Sequence, residues 1–295
     1  MATTTAPGPR ATTPARADSP VGLIAGSGRF PILFAQAARA QGLRVACVGI
    51  RHEAPPELRE MCDSYDEVGI SHLGGMIRAF RRRGVERAVM AGKVTKNVMY
   101  TPRRFLQLWP DLRMIRFWYG RLGDKKDDSI LLGVIAEFER DGIPFGSALD
   151  YCPELLVTAG TLTRRQPTTK ERLDIDFGWT LAKEMGRLDV GQSVAVKELA
   201  TLAIEAIEGT DRCIERAGHL CKSGGWTLVK VAKPQQDMRF DVPTVGITTI
   251  ENLHKAGARV LAIEASRTIV IDQPDVVKLA DKYGMTIIAL DPDAR

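Results

Sequence analysis

The apolar positions of this chain fall in short runs separated by longer amphipathic stretches. VGLIA (21–25) is an unbroken apolar run followed by glycines, as expected of a strand buried on both faces. ILFAQAARAQ (32–41) then has helical spacing with Gly42 as its stop, and RVACVGI (44–50) is again strand-like. DEVGI (66–70), a helix over 73–82 and RAVMAGKV (87–94) continue the alternation. SILLGVIAEFERDG (129–142) reads as a helix ending at Gly142, and IPFGSALDY (143–151) as a short strand. In the second half, SVAVKELATLAIEAI (193–207) reads as two strands, with more at 227–233, 259–265, 268–272 and 284–291. Helices fit near 211–220, 250–256 and 275–283.

Strands alternating with helices argue for parallel sheets joined by crossovers. The expected fold class is α/β, with a Rossmann-like N-terminal domain built on a parallel sheet (20–160) and a second α/β C-terminal domain (161–295). The polar, turn-rich RRQPTTKER (164–172) marks the region of the boundary. Residues 1–19 lack the apolar segment of a secretory signal and read as a disordered tail. No apolar run reaches the roughly eighteen residues that a bilayer-spanning helix needs.

Composition narrows the partners. Of 295 residues, 44% are hydrophobic and 26% charged, as in an ordinary soluble chain. The net charge of +5 suits an anionic substrate or an anionic membrane surface. It is not gathered into a continuous basic stripe, so no nucleic acid partner is expected. Five cysteines without a CxxC pair argue against a disulfide framework or zinc knuckle, and for a cytoplasmic setting. A homo-oligomer is compatible with the sequence.

Several motifs offer chemistry, each with a plainer alternative. AGSGRFP puts Gly26 and Gly28 between a strand and a helix, either as a tight turn or as a phosphate contact at the helix N-terminus. The dinucleotide fingerprint fails because its third glycine would fall at Pro31, which argues against a nicotinamide-dependent oxidoreductase. Lys93 of AGKVTK follows a strand end, where it meets an anion or is simply solvated. GDKKDDSI groups Asp124, Asp127 and Asp128, as a helix cap or part of a magnesium shell. Thr210 and Asp211 of IEGTD are again a cap or a ligand site, and Asp189 and Gln192 of LDVGQ are by themselves turn residues.

KPQQDMRFDVPTVGITTI (233–250) is the richest stretch. Taken as extended over 237–242, it aligns Asp237, Arg239 and Asp241 on one face and Met238, Phe240 and Val242 on the other. That row is either a charge-compensated surface strand or a phosphate site, with Arg239 gripping oxygens and the carboxylates holding a divalent ion or orienting water. Thr244, Gly246, Thr248 and Thr249 then supply small groups where a ligand can approach. Trp109, Trp118 and Tyr119 lie among Arg103, Arg104, Arg113, Arg116 and Arg121, either as a peripheral membrane-surface element or as a core helix with snorkelling arginines.

IAGSGRFP, GKV, LDVGQ, EAIEGTD and KPQQDMRFDVPTVGITTI together resemble the LpxI family over about residues 21–292. These are UDP-2,3-diacylglucosamine pyrophosphatases of lipid A biosynthesis. The resemblance implies a two-domain hydrolase with substrate between its domains and a divalent cation, normally Mg2+. Water attack at the α-phosphorus would release UMP and 2,3-diacylglucosamine 1-phosphate. The family's essential aspartate falls on Asp241, its Lys-Pro, Gln and Arg on Lys233, Pro234, Gln236 and Arg239, and its EGTD aspartate on Asp211. The expected catalytic set is therefore Asp241, Asp237 and Arg239. Substrate contacts are expected from Gly26, Gly28, Lys93, Gln192, Thr210, Lys233, Gln236 and Thr248, and metal ligation from Asp241, Asp211 and Asp128. An extended run would turn Gln236 away from Asp241, so a bend must intervene if both face substrate. A non-catalytic nucleotide- or lipid-binding module of the same fold is the alternative.

Overall fold

The computed structural model describes residues 19–94, 109–122 and 127–294, without the side chains of residues 127, 128 and 294. The tail, Arg103, Arg104, Asp124 and the side chains of Asp127 and Asp128 lie outside that description. The chain divides into two compact units, residues 1–146 and 147–295. The sequence reading put the division near 160. Residues 147–159 belong by contact to the second unit: Val157 N donates to Thr268 O, and Leu156 bridges Ile269.

The first unit holds a four-stranded parallel sheet, in the order β3 (Ser64–Val68), β2 (Val45–Ile50), β1 (Val21–Ala25), β4 (Arg87–Ala91). β1 and β2 are buried at every position, as their unbroken apolar runs require. Pro31 opens the helix Phe30–Ala40, where a missing N–H costs nothing. The helix Leu73–Arg82 packs Phe80 toward Phe138 of the helix Asp127–Glu139, with ring centroids 6.0 Å apart. The expected strand at 143–151 is only a single bridge, Phe145 to Ala88, followed by a 3-10 turn at Ala148–Asp150.

The second unit is a six-stranded mixed sheet, in the order β5 (Gly160–Thr161), β12 (Thr286–Leu290), β10 (Ala258–Glu264), β8 (Trp226–Lys230), β6 (Ser193–Lys197), β7 (Ala200–Ile204). β8, β10 and β12 are parallel, while β6 runs antiparallel to both β8 and β7, and β5 antiparallel to β12. A short parallel pair, β9 (Thr244–Val245) with β11 (Ile269–Val270), stands beside it. Side chains alternate between two cores. Leu228, Leu261, Ile263 and Ile287 face the helices Thr210–Leu220, Ile247–Lys255 and Gln273–Lys282, with Trp226 fully buried among them. Val229, Val260, Ala262 and Ile288 face the helix Thr169–Arg187.

That last helix does not show in the sequence pattern, where its start reads as a polar boundary. Thr168 and Glu171 form a capping box at its N-terminus, so the apparent turn formers are helix-starting residues. Its buried face carries Ile175, Gly178, Trp179 and Ala182, a weak apolar signal because two of them are small. The space at Gly178 is needed: a Cβ there would come within 2.7 Å of Val229 Cγ2.

The helix also shapes the β6–β7 hairpin. Glu198 and Leu199 form a two-residue reversal with φ of 51° and 61°, the left-handed region that usually demands Asn-Gly. Asp174 compensates, its carboxylate accepting from Glu198 N at 3.1 Å and from Leu199 N at 2.7 Å.

Two stability outcomes follow. Asp174→Ala leaves both hairpin amides without their acceptor and should cost about 1–3 kcal/mol in urea unfolding; converting Glu198 and Leu199 to Asn and Gly in that background should recover part of it. Burial acts to raise the Glu171 pKa, but the hydrogen bonds from Arg165 and Thr168 outweigh it and hold the carboxyl below its ordinary range. A folded pKa below the unfolded value gives stability that is complete above the unfolded pKa and lost as pH falls through the folded one. Glu171→Gln should therefore be destabilised at neutral pH and converge with the wild type in acid, read from melting temperatures across pH.

Candidate active site

Ligands of parallel sheets collect beyond the carboxyl ends of the strands. In the second unit that edge lies where β8 ends at Lys230 and β10 at Glu264. β6 enters beside it, because Ser193 pairs with Lys230 in the antiparallel register.

Lys230 is only 6% exposed. Its Nζ donates to Thr210 Oγ1 at 3.2 Å and to the Thr244 carbonyl at 3.4 Å. Thr210 in turn donates to Glu205 Oε1 at 2.9 Å and stands 3.5 Å from Ser193 Oγ. A hydroxyl thus bridges a buried ammonium and a buried carboxylate. Glu205 Oε2 and Gln192 Oε1 are buried without a hydrogen-bond partner among the described residues. Thr210 is therefore not the helix cap that its position suggests; the N-cap is Gly209, with φ of 81°.

The segment after β8 overturns the extended reading of 237–242. Gln236 N donates to Lys233 O at 3.0 Å, and both Phe240 N and Asp241 N turn back to Asp237 O. These are turns, so the alternation of faces does not hold. The bend brings Gln236 onto Asp241, Nε2 to Oδ2 at 2.6 Å, while Gln236 Oε1 accepts from Lys233 N at 2.8 Å. Both ends of the Gln236 amide are thus engaged inside the loop. Arg239 is committed to Asp237: Nε donates at 3.0 Å, Nη2 at 2.7 Å, and the backbone N–H at 3.0 Å. Burial acts to raise the Asp237 pKa, but these Arg239 contacts prevail and hold it below the usual carboxylate range. Lys233 Nζ meets Asp189 Oδ1 at 2.6 Å, so LDVGQ supplies an ion-pair partner as well as a turn.

Asp241 is half-buried, and Gln236 takes only its Oδ2. Asp211 lies apart on the exposed start of the helix Thr210–Leu220, bonded to Asn252 Nδ2 at 3.0 Å. It lines a groove with Glu215, His219 and Lys255. Thr248 is exposed on the first turn of the helix Ile247–Lys255. Among the described residues, no group of three or more His, Cys, Asp or Glu side chains is disposed to hold a metal ion. The Asp128 side chain lies outside that description.

In the first unit, the glycine turn and the GKV loop are laced together. Gly26 N donates to Ala91 O at 2.9 Å, and Ser27 N to Lys93 O at 2.6 Å. A Cβ on Gly26 would lie 2.5 Å from the Lys93 carbonyl, which explains that glycine by close approach. The Gly26 amide is thereby taken. Gly28, with φ of 92°, has open space around it, and the Lys93 side chain is exposed.

Sequence reasoning missed Lys230, Glu205, Lys183 and Glu264. Two left a signal: a lysine inside TLVKVA and a glutamate closing RVLAIE are charges in apolar strands, which burial tolerates only with partners.

Both halves of the chain match known domains. Residues 20–155 match the LpxI N-terminal domain and residues 158–288 the LpxI C-terminal domain. The UDP-2,3-diacylglucosamine pyrophosphatase LpxI of Caulobacter vibrioides is 33% identical over 286 residues, covering 93% of this chain and 99% of that protein. A bifunctional purine biosynthesis protein PurH of Deinococcus deserti is 24% identical over 270 residues, which span 86% of this chain and 48% of that protein. A nucleoside-diphosphate-sugar epimerase from Pseudomonas aeruginosa overlays with a TM-score of 0.27 at 13% identity, covering 94% of this chain and 90% of that one, too loosely to bear on the fold. The two domain matches together cover nearly all of the chain beyond its N-terminal tail, and the chain belongs to the LpxI family.

Proposed function

We propose that this protein hydrolyses the pyrophosphate of UDP-2,3-diacylglucosamine, with water attacking the α-phosphorus and UMP and 2,3-diacylglucosamine 1-phosphate leaving. The observation that carries the reading is the full-length likeness to the Caulobacter enzyme, combined with an Asp241 carboxylate fixed by Gln236 in a loop rich in paired charges.

A phosphoanhydride resists water because its own negative charge repels nucleophiles, so catalysis calls for positioning and charge neutralisation. Asp241 is suited to orient the attacking water and accept its proton through the carboxylate oxygen that Gln236 does not use. The leaving phosphate monoester is stable as an anion and needs little protonation. Arg239 and Lys233 arrive with their geometry set by Asp237 and Asp189, and a guanidinium has five N–H donors with which to meet phosphate oxygens. Magnesium is commonly held by one or two carboxylates together with substrate phosphates and waters, which a single carboxylate in a phosphate-binding loop suits. Asp241 would hold it through the same oxygen that Gln236 does not use, as an alternative to its role as proton acceptor. When bound, the ion supplies electrostatic stabilisation of the phosphoryl oxygens.

The substrate's acyl chains call for contact with a bilayer surface. In the helix Leu112–Gly120, Phe117 is buried while Leu112 (75% exposed), Ile115 (40%) and Tyr119 (85%) share another face, with Trp109 (78%) just before it. Such a stripe suits insertion at headgroup depth at the cytoplasmic membrane. Arg113 is structural, because its Nε binds the fully buried Glu137 at 2.9 Å; Arg121 and Arg140 bind the same carboxylate. Arg116 is the exposed basic residue of the helix.

Asp241→Ala should lower kcat by at least about a hundredfold while leaving the melting temperature in place. Normal UMP release by that variant would refute the assignment. In oxygen-18 water the label should appear in UMP; label in the sugar phosphate would mean attack at the other phosphorus. Arg116→Glu combined with Tyr119→Ser should weaken flotation with anionic phospholipid vesicles, and unchanged flotation would dispose of the membrane contact.

A further inference from the structure

We infer that Lys183 and Glu264 are positioning residues that set Asp241 from a distance, through the backbone of Ala232 and the side chain of Gln236. The inference rests on the reading of Asp241 given above.

Glu264 ends β10 and is 0% exposed. Its Oε2 accepts from Lys183 Nζ at 2.6 Å and from Ala232 N at 2.8 Å. Lys183 Nζ also donates to Ala232 O at 3.1 Å. One peptide residue is therefore gripped at its amide and its carbonyl by an ion pair. The remaining carboxylate oxygen of Glu264, Oε1, has no hydrogen-bond partner among the described residues, and Arg267 Nε lies 3.6 Å away.

Ala232 is the last residue before the site loop. The next residue donates through Lys233 N to Gln236 Oε1, and Gln236 donates to Asp241. The helix that carries Lys183 holds the loop a second time, with Gln235 Nε2 donating to Gly186 O at 2.9 Å. Gly186 leaves room for that approach, since a Cβ there would already stand 3.3 Å from Lys233 Cα. Every link from the Lys183–Glu264 pair to the Asp241 carboxylate is a named hydrogen bond or a single step along the chain.

Stability alone does not account for the pair. Taking the Glu264 carboxylate wholly out of water is costly even with a half-buried Lys183 beside it, and apolar replacements of such pairs are often as stable or more so. What an apolar pair would lose is direction: a carboxylate and an ammonium fix the amide and the carbonyl of Ala232 at once.

The test uses the full chain and follows UMP release from UDP-2,3-diacylglucosamine for Lys183→Met, Glu264→Gln, Gln236→Ala and the Lys183→Met/Gln236→Ala double variant, with thermal melts to establish the folded fraction. Expected is a kcat loss of tenfold or more per folded molecule, KM within about twofold, and a double variant no slower than its slower parent, because both changes break one chain of contacts. A purely structural role would lower the melting temperature and leave kcat per folded molecule unchanged, which overturns the inference. Multiplying losses in the double variant also overturn it, since the residues then act separately. If Lys183→Met does not fold, Glu264→Gln and its double variant with Gln236→Ala are judged by the same criteria. Asp241→Ala is measured alongside. Retained activity there defeats the assignment of Asp241, whereas an inactive Asp241→Ala beside fully active Lys183 and Glu264 variants defeats only the positioning role.

Discussion

The peptide of Ala232 stands between a carboxylate without solvent exposure and the ammonium that neutralises it, and the candidate site is built outward from that grip. β8 is the middle of the second unit, flanked by β10 and β6, so its end is fixed laterally by two ladders. A helix on one face and three on the other fix it vertically. A loop leaving such a strand would ordinarily regain freedom within a residue or two. Here the first residue beyond Val231 is tied at both its N–H and its C=O, and the order reaches as far as Asp241.

Charge in this region is locally balanced before any ligand arrives. Lys233 faces Asp189, Arg239 faces Asp237, and Lys230 reaches Glu205 through the Thr210 hydroxyl. An anionic ligand must compete with these carboxylates, and the gain in return is preorganisation: the cations do not need to be gathered. The Glu205 and Gln192 oxygens that have no partner among the described residues add acceptors to a region otherwise rich in donors.

The alternation of elements was legible because strands are short runs rich in apolar residues, and β1, β2 and the β6–β7 pair fall close to where periodicity puts them. The helix Thr169–Arg187 was not, because its core face uses glycine and alanine and its start uses residues that also make turns. At the site, residue types were legible and geometry was not. The charges of 237–241 suggested a strand with two faces, whereas backbone hydrogen bonds to Lys233 and Asp237 roll the segment into turns. Asp211 and Thr210 are adjacent in sequence yet serve different places, one at the helix groove and one beneath Lys230. Glu264 and Lys183 act on the loop from 32 and 49 residues away from Ala232, a separation at which no local pattern speaks.

The reversal at Glu198–Leu199 bears on what holds the edge of this sheet. Its two backbone conformations are ones these residues do not choose on their own, and the acceptor that rewards them sits on a helix 24 positions earlier. An isolated peptide spanning β6 and β7 has neither that acceptor nor a sequence reason to reverse there. The ribbon is thus a dependent structure: the shape of its reversal is held by the helix before it, and the outermost strand of the sheet owes its return to a carboxylate from another layer.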